Sequence, residues 1–171
     1  IPFMATAIAV SKAPCLNDVE TALVSDLYHN TTYTAQKNQG TFRNWEKIKP
    51  SQTSSLEEAV VGVDFNTFRL GELVARLEGV LMRTRYLRHL GANALEICYV
   101  ADGTTDAFID IRGKLRVTDI AASYLIIQEA GGIMVTPEGT ELNVPLAATQ
   151  RVAFIAAANK TIYITIKNFL A

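Results

Sequence analysis

The chain has 171 residues, 49% of them hydrophobic, and its 16 Lys+Arg against 17 Asp+Glu leave a formal net charge of -1. That length holds one domain or two small lobes with a sizeable core, and the interspersed charge lacks the basic stripe of a nucleic-acid module. Cys15 and Cys98 lie far apart without CxxC spacing, and no apolar run reaches the roughly 18 residues of a membrane span, so a disulfide framework, a zinc site and a transmembrane role are set aside in favour of a reduced, cytoplasmic protein.

In chain order, Pro2 to Val10 reads as a buried strand. Thr21 to Tyr28 and Thr31 to Gln36 follow as strands, rich in β-branched and aromatic residues between turn formers. Lys37-Asn38-Gln39-Gly40 reads as a hairpin turn, Thr41 to Ile48 as a further strand, and Pro50 to Ser55 as a polar connection. This half predicts an antiparallel sheet. The second half alternates. Ala59 to Phe65 is a short apolar strand, and Phe68 to Met82 a helix with Leu70, Leu73, Val74, Leu77 and Leu81 at helical spacing. Tyr86 and Leu87 form a short strand, and Gly91 opens a helix through Val100. Asp106 to Ile111 is a strand, Asp119 to Ala130 a helix, Gly132 to Val135 and Val152 to Ala157 strands. Ala158 to Ala171 is taken as helix from Ile162, Ile166, Phe169 and Leu170. The alternation predicts a layered α/β sheet.

The segment LRVTDIAASYLIIQEAGG, from Leu115 to Gly132, places Asp119 at a helix mouth. An acid in the first turn is favoured by the backbone N–H groups and the macrodipole there, and Gly131 or Gly132 supplies a left-handed cap. A carboxylate held at a rigid helix start is also a good hard-cation ligand, but one Asp makes no Mg²⁺ site alone. The other acids to weigh are Asp102, Asp106 and Asp110. Asp102-Gly103-Thr104 follows a helix and reads as its terminating turn. Asp106 and Asp110 read as a strand face or as salt-bridge partners of Arg112 and Lys114. Arginine grips phosphate bidentately, and Arg83, Arg85, Arg88, Arg112 and Arg116 crowd this half. In RHLGANALE, Gly91 allows close backbone approach ahead of a helix N-terminus, a ready anion site.

With these residues in view, RHLGANALEICYVADGTTDAFIDIRGKLRVTDIAASYLIIQEAGG, residues 88 to 132, resembles the C-terminal signature of the inositol monophosphatase superfamily. The likeness is strongest to archaeal enzymes acting on both inositol monophosphate and fructose 1,6-bisphosphate. IPFMATAIAV resembles the strand that follows that family's metal-binding loop, and TYTAQKNQGTFRNWEKI resembles its hairpin. The resemblance implies Mg²⁺-dependent phosphate-monoester hydrolysis, with two or three metal ions in the complete site, on an αβαβα layered sandwich: an antiparallel sheet followed by a mixed α/β sheet. It implies that residues 1–56 are the remainder of an N-terminal α+β lobe and 57–171 a C-terminal α/β lobe. Asp119 matches the family's C-terminal metal ligand and is the catalytic candidate. Arg88, Ala92, Asn93 and Arg112 match substrate-contacting positions. Ala92-Asn93 departs from the hydroxyl residues common there, and Arg112 stands where inositol-selective members carry an acid, a cation suited to a second phosphate.

The family's remaining ligands, a Glu-Glu pair and a DP[IL]DGT loop, belong N-terminal to IPF and have no counterpart in the sequence. The chain is therefore expected to be the C-terminal part of a longer polypeptide, inactive alone and weak in Mg²⁺ binding. The implied partner is a small phosphorylated sugar or polyol, with no nucleic acid and no membrane, and a homodimer or homotetramer is expected. A nucleotide 3′-phosphatase belongs to the same superfamily. The reading from a different class is a non-catalytic homologue or assembly subunit. GxGxxG and GxxxxGK[ST] are absent, so dinucleotide and P-loop roles have no support.

Overall fold

The computed structural model describes residues 3–65 and 69–170. Ile1, Pro2, Phe68 and Ala171, at the ends of predicted elements, lie outside them. The first sheet is an antiparallel meander of β1 (Ala5–Ser11), β2 (Val19–Asp26), β3 (Thr31–Gln36), β4 (Gly40–Arg43) and β5 (Glu46–Lys47), paired in that order. Alternation explains it. In β2 and β3, Ala22, Val24, Tyr33 and Ala35 point inward and are buried, while Leu23, Thr32 and Thr34 point outward. The single strand expected over Thr41 to Ile48 is two, split by a turn at Asn44 and Trp45. Both residues hold left-handed backbone, at φ 48° and 72°. Asn44 tolerates this, and its Oδ1 accepts the Thr32 N–H at 2.8 Å. Trp45 is a bulky residue in that region and is 91% exposed.

The second sheet has the order β7-β6-β8-β10-β9, from β6 (Val60–Val63), β7 (Tyr86–Arg88), β8 (Ala107–Arg116), β9 (Ile133–Val135) and β10 (Arg151–Ala157). β6, β7 and β8 are parallel, whereas β10 runs antiparallel to both neighbours. β8 continues five residues past the expected end at Ile111, through Gly113 at φ 64°. Its distal half alternates charge rather than hydrophobicity, so periodicity does not mark it as strand.

Among the described residues four α-helices fill the layers: α1 (Leu70–Leu81), α2 (Asn93–Ala101), α3 (Val117–Ala130) and α4 (Lys160–Asn168). The inner face of the first sheet, α2, α3 and one face of the second sheet share a core in which Phe108 and Phe154 meet at 5.7 Å between ring centroids. α1 and α4 cover the other face of the second sheet. The expected layered α/β sandwich is thus formed, and the described residues make four layers of it, in the order β-α-β-α. α3 lies between two sheets and is buried nearly all round, which is why DIAASYLII carries so little polarity. α1 has one buried stripe, Leu73, Leu77 and Val80; Leu70 and Val74, though at helical spacing with them, point outward. The ambiguous C-terminal segment is helical because Asn159 caps it, accepting the Thr161 and Ile162 N–H groups at 3.0 and 3.1 Å.

The EAGG element that ends α3 does three jobs. Glu129 accepts the Asn38 and Gly40 N–H groups at 2.8 and 2.9 Å and pins the β3–β4 hairpin to the helix. Gly131, at φ 95°, is the left-handed cap. Gly132 is small for another reason: a Cβ there would stand 2.6 Å from Ile127 Cγ1. Among the described residues no helix is long and apolar enough to cross a membrane.

Candidate active site

β6 sends its chain outward to β7 through α1, and β7 returns to β8 through α2 on the opposite face. The strand order therefore switches direction at β6, and ligands of open α/β sheets bind beyond the C-terminal strand ends at such a point. Three segments leave those ends here: Asp64 after β6, His89 to Asn93 after β7, and Val117 to Asp119 after β8.

The last two meet in a cleft of about 500 Å³. Gly91 to Ala94 form one wall, Leu115, Thr118 and Asp119 the second, and Phe3, Met4, Ala5 and Ala7 the third. The helices α2 and α3 both begin on this cleft. Their N-caps, Ala92 and Arg116, provide no side-chain hydrogen bond to the first turn. The Val117 N–H is taken by the Gln150 carbonyl at 3.1 Å; the other first-turn N–H groups and the two helix dipoles favour an oxyanion. Asp119 stands in the first turn of α3 with its side chain 33% exposed; its Oδ2 accepts from Arg116 Nε at 3.1 Å, a solvent-exposed pair that holds it loosely. Gly91 takes φ 74°, and a Cβ there would meet nothing within 4 Å, so the turn rather than close approach requires it.

The structure thus brings Ala92, Asn93 and Asp119 together and leaves Arg88 and Arg112 outside the cleft lining. Arg88 lies on the edge strand β7, bonded to the Leu87 carbonyl at 2.9 Å with its guanidinium over Tyr86. The Arg112 side chain is 8% exposed and gripped by two carboxylates, Asp110 and Asp64. Asp102 is remote from the cleft. It closes α2 and accepts from Tyr33 Oη at 2.8 Å and Arg43 at 3.2 Å. Asp106 ties β6 to the preceding loop through the Val60 N–H, at 2.7 Å, and the Ser51 hydroxyl.

Two buried acids behind the α2 wall escaped the sequence. Asp64 is pushed up from the usual Asp range by burial, and Arg112 beside it pulls the other way. Glu96, 3% exposed, is likewise pushed up by burial. Its carboxylate accepts the Leu90 N–H at 3.3 Å, and so shapes the loop that enters α2. Gly62 on β6 leaves room for it, since a Cβ there would stand 3.3 Å from Glu96 Oε1. An acid four residues behind an uncapped helix start was the available signal.

The raised Glu96 value fixes a sign. The fold holds this proton more tightly than the unfolded chain, so its contribution to stability is full below the ordinary Glu value of 4.5 and is lost as pH rises through the folded value. Glu96→Gln should therefore gain stability relative to the parent as pH climbs from roughly 4.5 to neutrality. Melting curves over that range test it; a variant that falls further behind with rising pH would show the carboxylate to be stabilising.

Asp119 offers a hard oxygen of the kind Mg²⁺ takes, beside N–H groups suited to phosphate oxygens. Among the described residues no group of three or more His, Cys, Asp or Glu side chains could hold a metal ion. The chain's own residues therefore fit one corner of a Mg²⁺–phosphate site.

The model of the inositol monophosphatase family matches residues 1–167. A fructose-1,6-bisphosphatase/inositol-1-monophosphatase of Methanothermobacter thermautotrophicus is 38% identical over 93% of this chain and 58% of its own length. A bifunctional NADP phosphatase/NAD kinase of Methanococcus maripaludis is 33% identical over 92% of this chain and 30% of its own. Among solved structures, a Pyrococcus horikoshii protein described as similar to inositol-1 monophosphatase superposes with a TM-score of 0.86 at 31% identity, over 99% of this chain and 63% of that one. The chain spans less than two thirds of each.

Proposed function

The chain belongs to the inositol monophosphatase family, and from that premise we propose that it forms the α2–α3 wall of a Mg²⁺-dependent phosphatase acting on sugar or inositol phosphates. One observation carries this: the Asp119 carboxylate and the uncapped N-termini of α2 and α3 face the same cleft. Carboxylate and oxyanion acceptors side by side suit a cation-bridged phosphate better than a neutral ligand.

In this mechanism Asp119 would supply one anionic oxygen to Mg²⁺. Mg²⁺ held there would supply the Lewis acidity that lowers the pKa of a water and offsets phosphoryl charge. The N–H groups opening α2, at Asn93 and Ala94, hold substrate oxygens. The Asn93 side chain faces the hydroxyl-bearing part of the substrate, and Leu115 with Phe3 and Ala5 limits water at the rear of the cleft. The archaeal relatives' names support inositol 1-phosphate and fructose 1,6-bisphosphate as substrates, and the bifunctional relative's name adds NADP to the panel.

The test is phosphate release by the full-length protein from these three compounds, with Mg²⁺ and with EDTA. Turnover of at least one, abolished by EDTA and restored by Mg²⁺, is expected. No turnover of any at saturating Mg²⁺ would leave the non-catalytic homologue as the assignment.

A further inference from the structure

A second cavity adjoins the Asp119 cleft. It holds about 300 Å³, shares Phe3 with the cleft lining, and continues between the β2–β3 turn and the C-terminal end of α2. Four rings line it: Phe3, His29, Tyr33 and Tyr99. Two buried carboxylates fix three of them. Asp26 stands opposite Ala5 of β1, and its Oδ2 accepts from His29 Nδ1 at 2.8 Å and from Tyr99 Oη at 3.3 Å. Its Oδ1 accepts the Tyr28 and His29 N–H groups, each at 3.0 Å. Asp102 Oδ2 accepts from Tyr33 Oη at 2.8 Å and from Arg43 Nη1 at 3.2 Å. Both carboxylate side chains are 2% exposed. The fourth ring, Phe3, lies 6.2 Å from the His29 ring between centroids.

We propose that this cavity is a nucleobase subsite, taking the base of a nucleoside phosphate whose ester lies in the Asp119 cleft, with Phe3 as the ring between the two. The proposal rests on the phosphatase assignment above and narrows its substrate class. A carboxylate only accepts, so both tyrosine hydroxyls and the His29 Nδ1–H are turned toward Asp26 and Asp102. The lining therefore meets a ligand with ring surface, on which any base can stack. The rings are held before the ligand arrives, so little of the binding energy goes into ordering them. Charge points the same way. Arg43 and His29, about half exposed, are each tied to one of the carboxylates, so the cavity carries no surplus positive charge for a second phosphate. The Arg43 fork and the Thr104 hydroxyl also line the cavity, and they supply donors for ring nitrogens.

The experiment uses the full-length, Mg²⁺-loaded protein. Its substrates are inositol 1-phosphate, fructose 1,6-bisphosphate and adenosine 2′-phosphate, the esterified half of NADP; adenosine and ribose serve as inhibitors. Wild-type protein should turn over adenosine 2′-phosphate. Adenosine should inhibit at concentrations about tenfold below those of ribose, because only adenosine brings a base. Two variants then separate the ring from its hydroxyl. Tyr99→Leu removes the ring, and Tyr99→Phe keeps it. In Tyr99→Leu the ratio of kcat/KM for adenosine 2′-phosphate to that for inositol 1-phosphate should fall about tenfold, most of it in KM, the effect of one lost base–aromatic stack. Tyr99→Phe should keep that ratio within about threefold of the parent.

Turnover of inositol 1-phosphate or fructose 1,6-bisphosphate without turnover of adenosine 2′-phosphate would overturn the proposal and leave the phosphatase assignment standing. So would adenosine that inhibits no better than ribose, or a ratio unchanged in Tyr99→Leu. A ratio that falls equally in Tyr99→Phe would make the hydrogen bond to Asp26 the important contact rather than a stack, and overturn it too. Wild-type protein that turns over none of the three substrates would remove the phosphatase assignment and this proposal together. If Tyr99→Leu does not fold, the comparison of adenosine with ribose decides alone.

Discussion

Asp119→Asn in the full-length, Mg²⁺-loaded protein should lower kcat/KM for its phosphate ester at least about 10³-fold, on the order of 4 kcal/mol of transition-state stabilisation. The substitution keeps the shape of the side chain and one carbonyl oxygen. It removes the negative charge that makes the group a ligand for a small hard cation. A competing role must be separated. Asp119 also sits in the first turn of α3, where an acid contributes about 0.3–1 kcal/mol through the helix dipole, and it pairs with Arg116 in the open. That role predicts a small drop in melting temperature and unchanged turnover. The metal role predicts the reverse, together with a steep rise in the Mg²⁺ concentration needed for half-maximal rate. Activity within about threefold of the parent would return Asp119 to the helix dipole alone.

Asp110→Ala should be the most damaging change to stability, at about 3–5 kcal/mol. Asp110 is fully buried and takes both a bidentate grip from Arg112 and the Arg112 N–H at 3.1 Å. Without it the guanidinium keeps only Asp64, in a site where its side chain is 8% exposed. Water cannot replace the lost partner there. For a domain of this size each kcal/mol shifts the melting temperature by about 2–4 °C, so a drop on the order of 10 °C is expected in a thermal melt. Phe154 lies opposite Asp110 on β10, and repacking around it does not restore a charge. A shift of less than about 3 °C would mean that Arg112 has reached solvent.

How far the sequence could be read depended on whether partners were near in the chain. The strand Thr31 to Gln36 was legible because Tyr33 and Ala35 alternate with threonines, a period that one sheet face imposes. α3 was legible from its acid at the start and its glycines at the end. The turn at Asn44-Trp45 was not, because a tryptophan carries no turn signal and its left-handed backbone is visible only in three dimensions. The outward turn of Leu70 and Val74 was not legible, because helical spacing marks apolar residues without choosing which stripe faces the core.

The site divides the same way. Asp119 and Asn93 could be placed because each stands at a helix start that the local sequence announces. The place of Arg88 was not legible, since nothing local tells that β7 is an edge strand whose side chains face solvent. The Asp110–Arg112 pairing lies within three residues and was among the possibilities. Its other arm was hidden: Asp64 lies 48 residues away, and only the parallel pairing of β6 with β8 brings it alongside.

The single tryptophan bears on how this protein can be watched. Trp45 stands 91% exposed at the tip of the β4–β5 turn, far from either core. Its emission in the native state is already that of a solvated indole, so denaturation of the sandwich leaves the colour of that light nearly unchanged. Tyr33 and Tyr124, both buried, and the far-ultraviolet dichroism of the helices are the signals that follow unfolding. The indole is a reporter of a different event: any surface that settles over the outer face of the first sheet takes it out of water and shifts its emission to the blue.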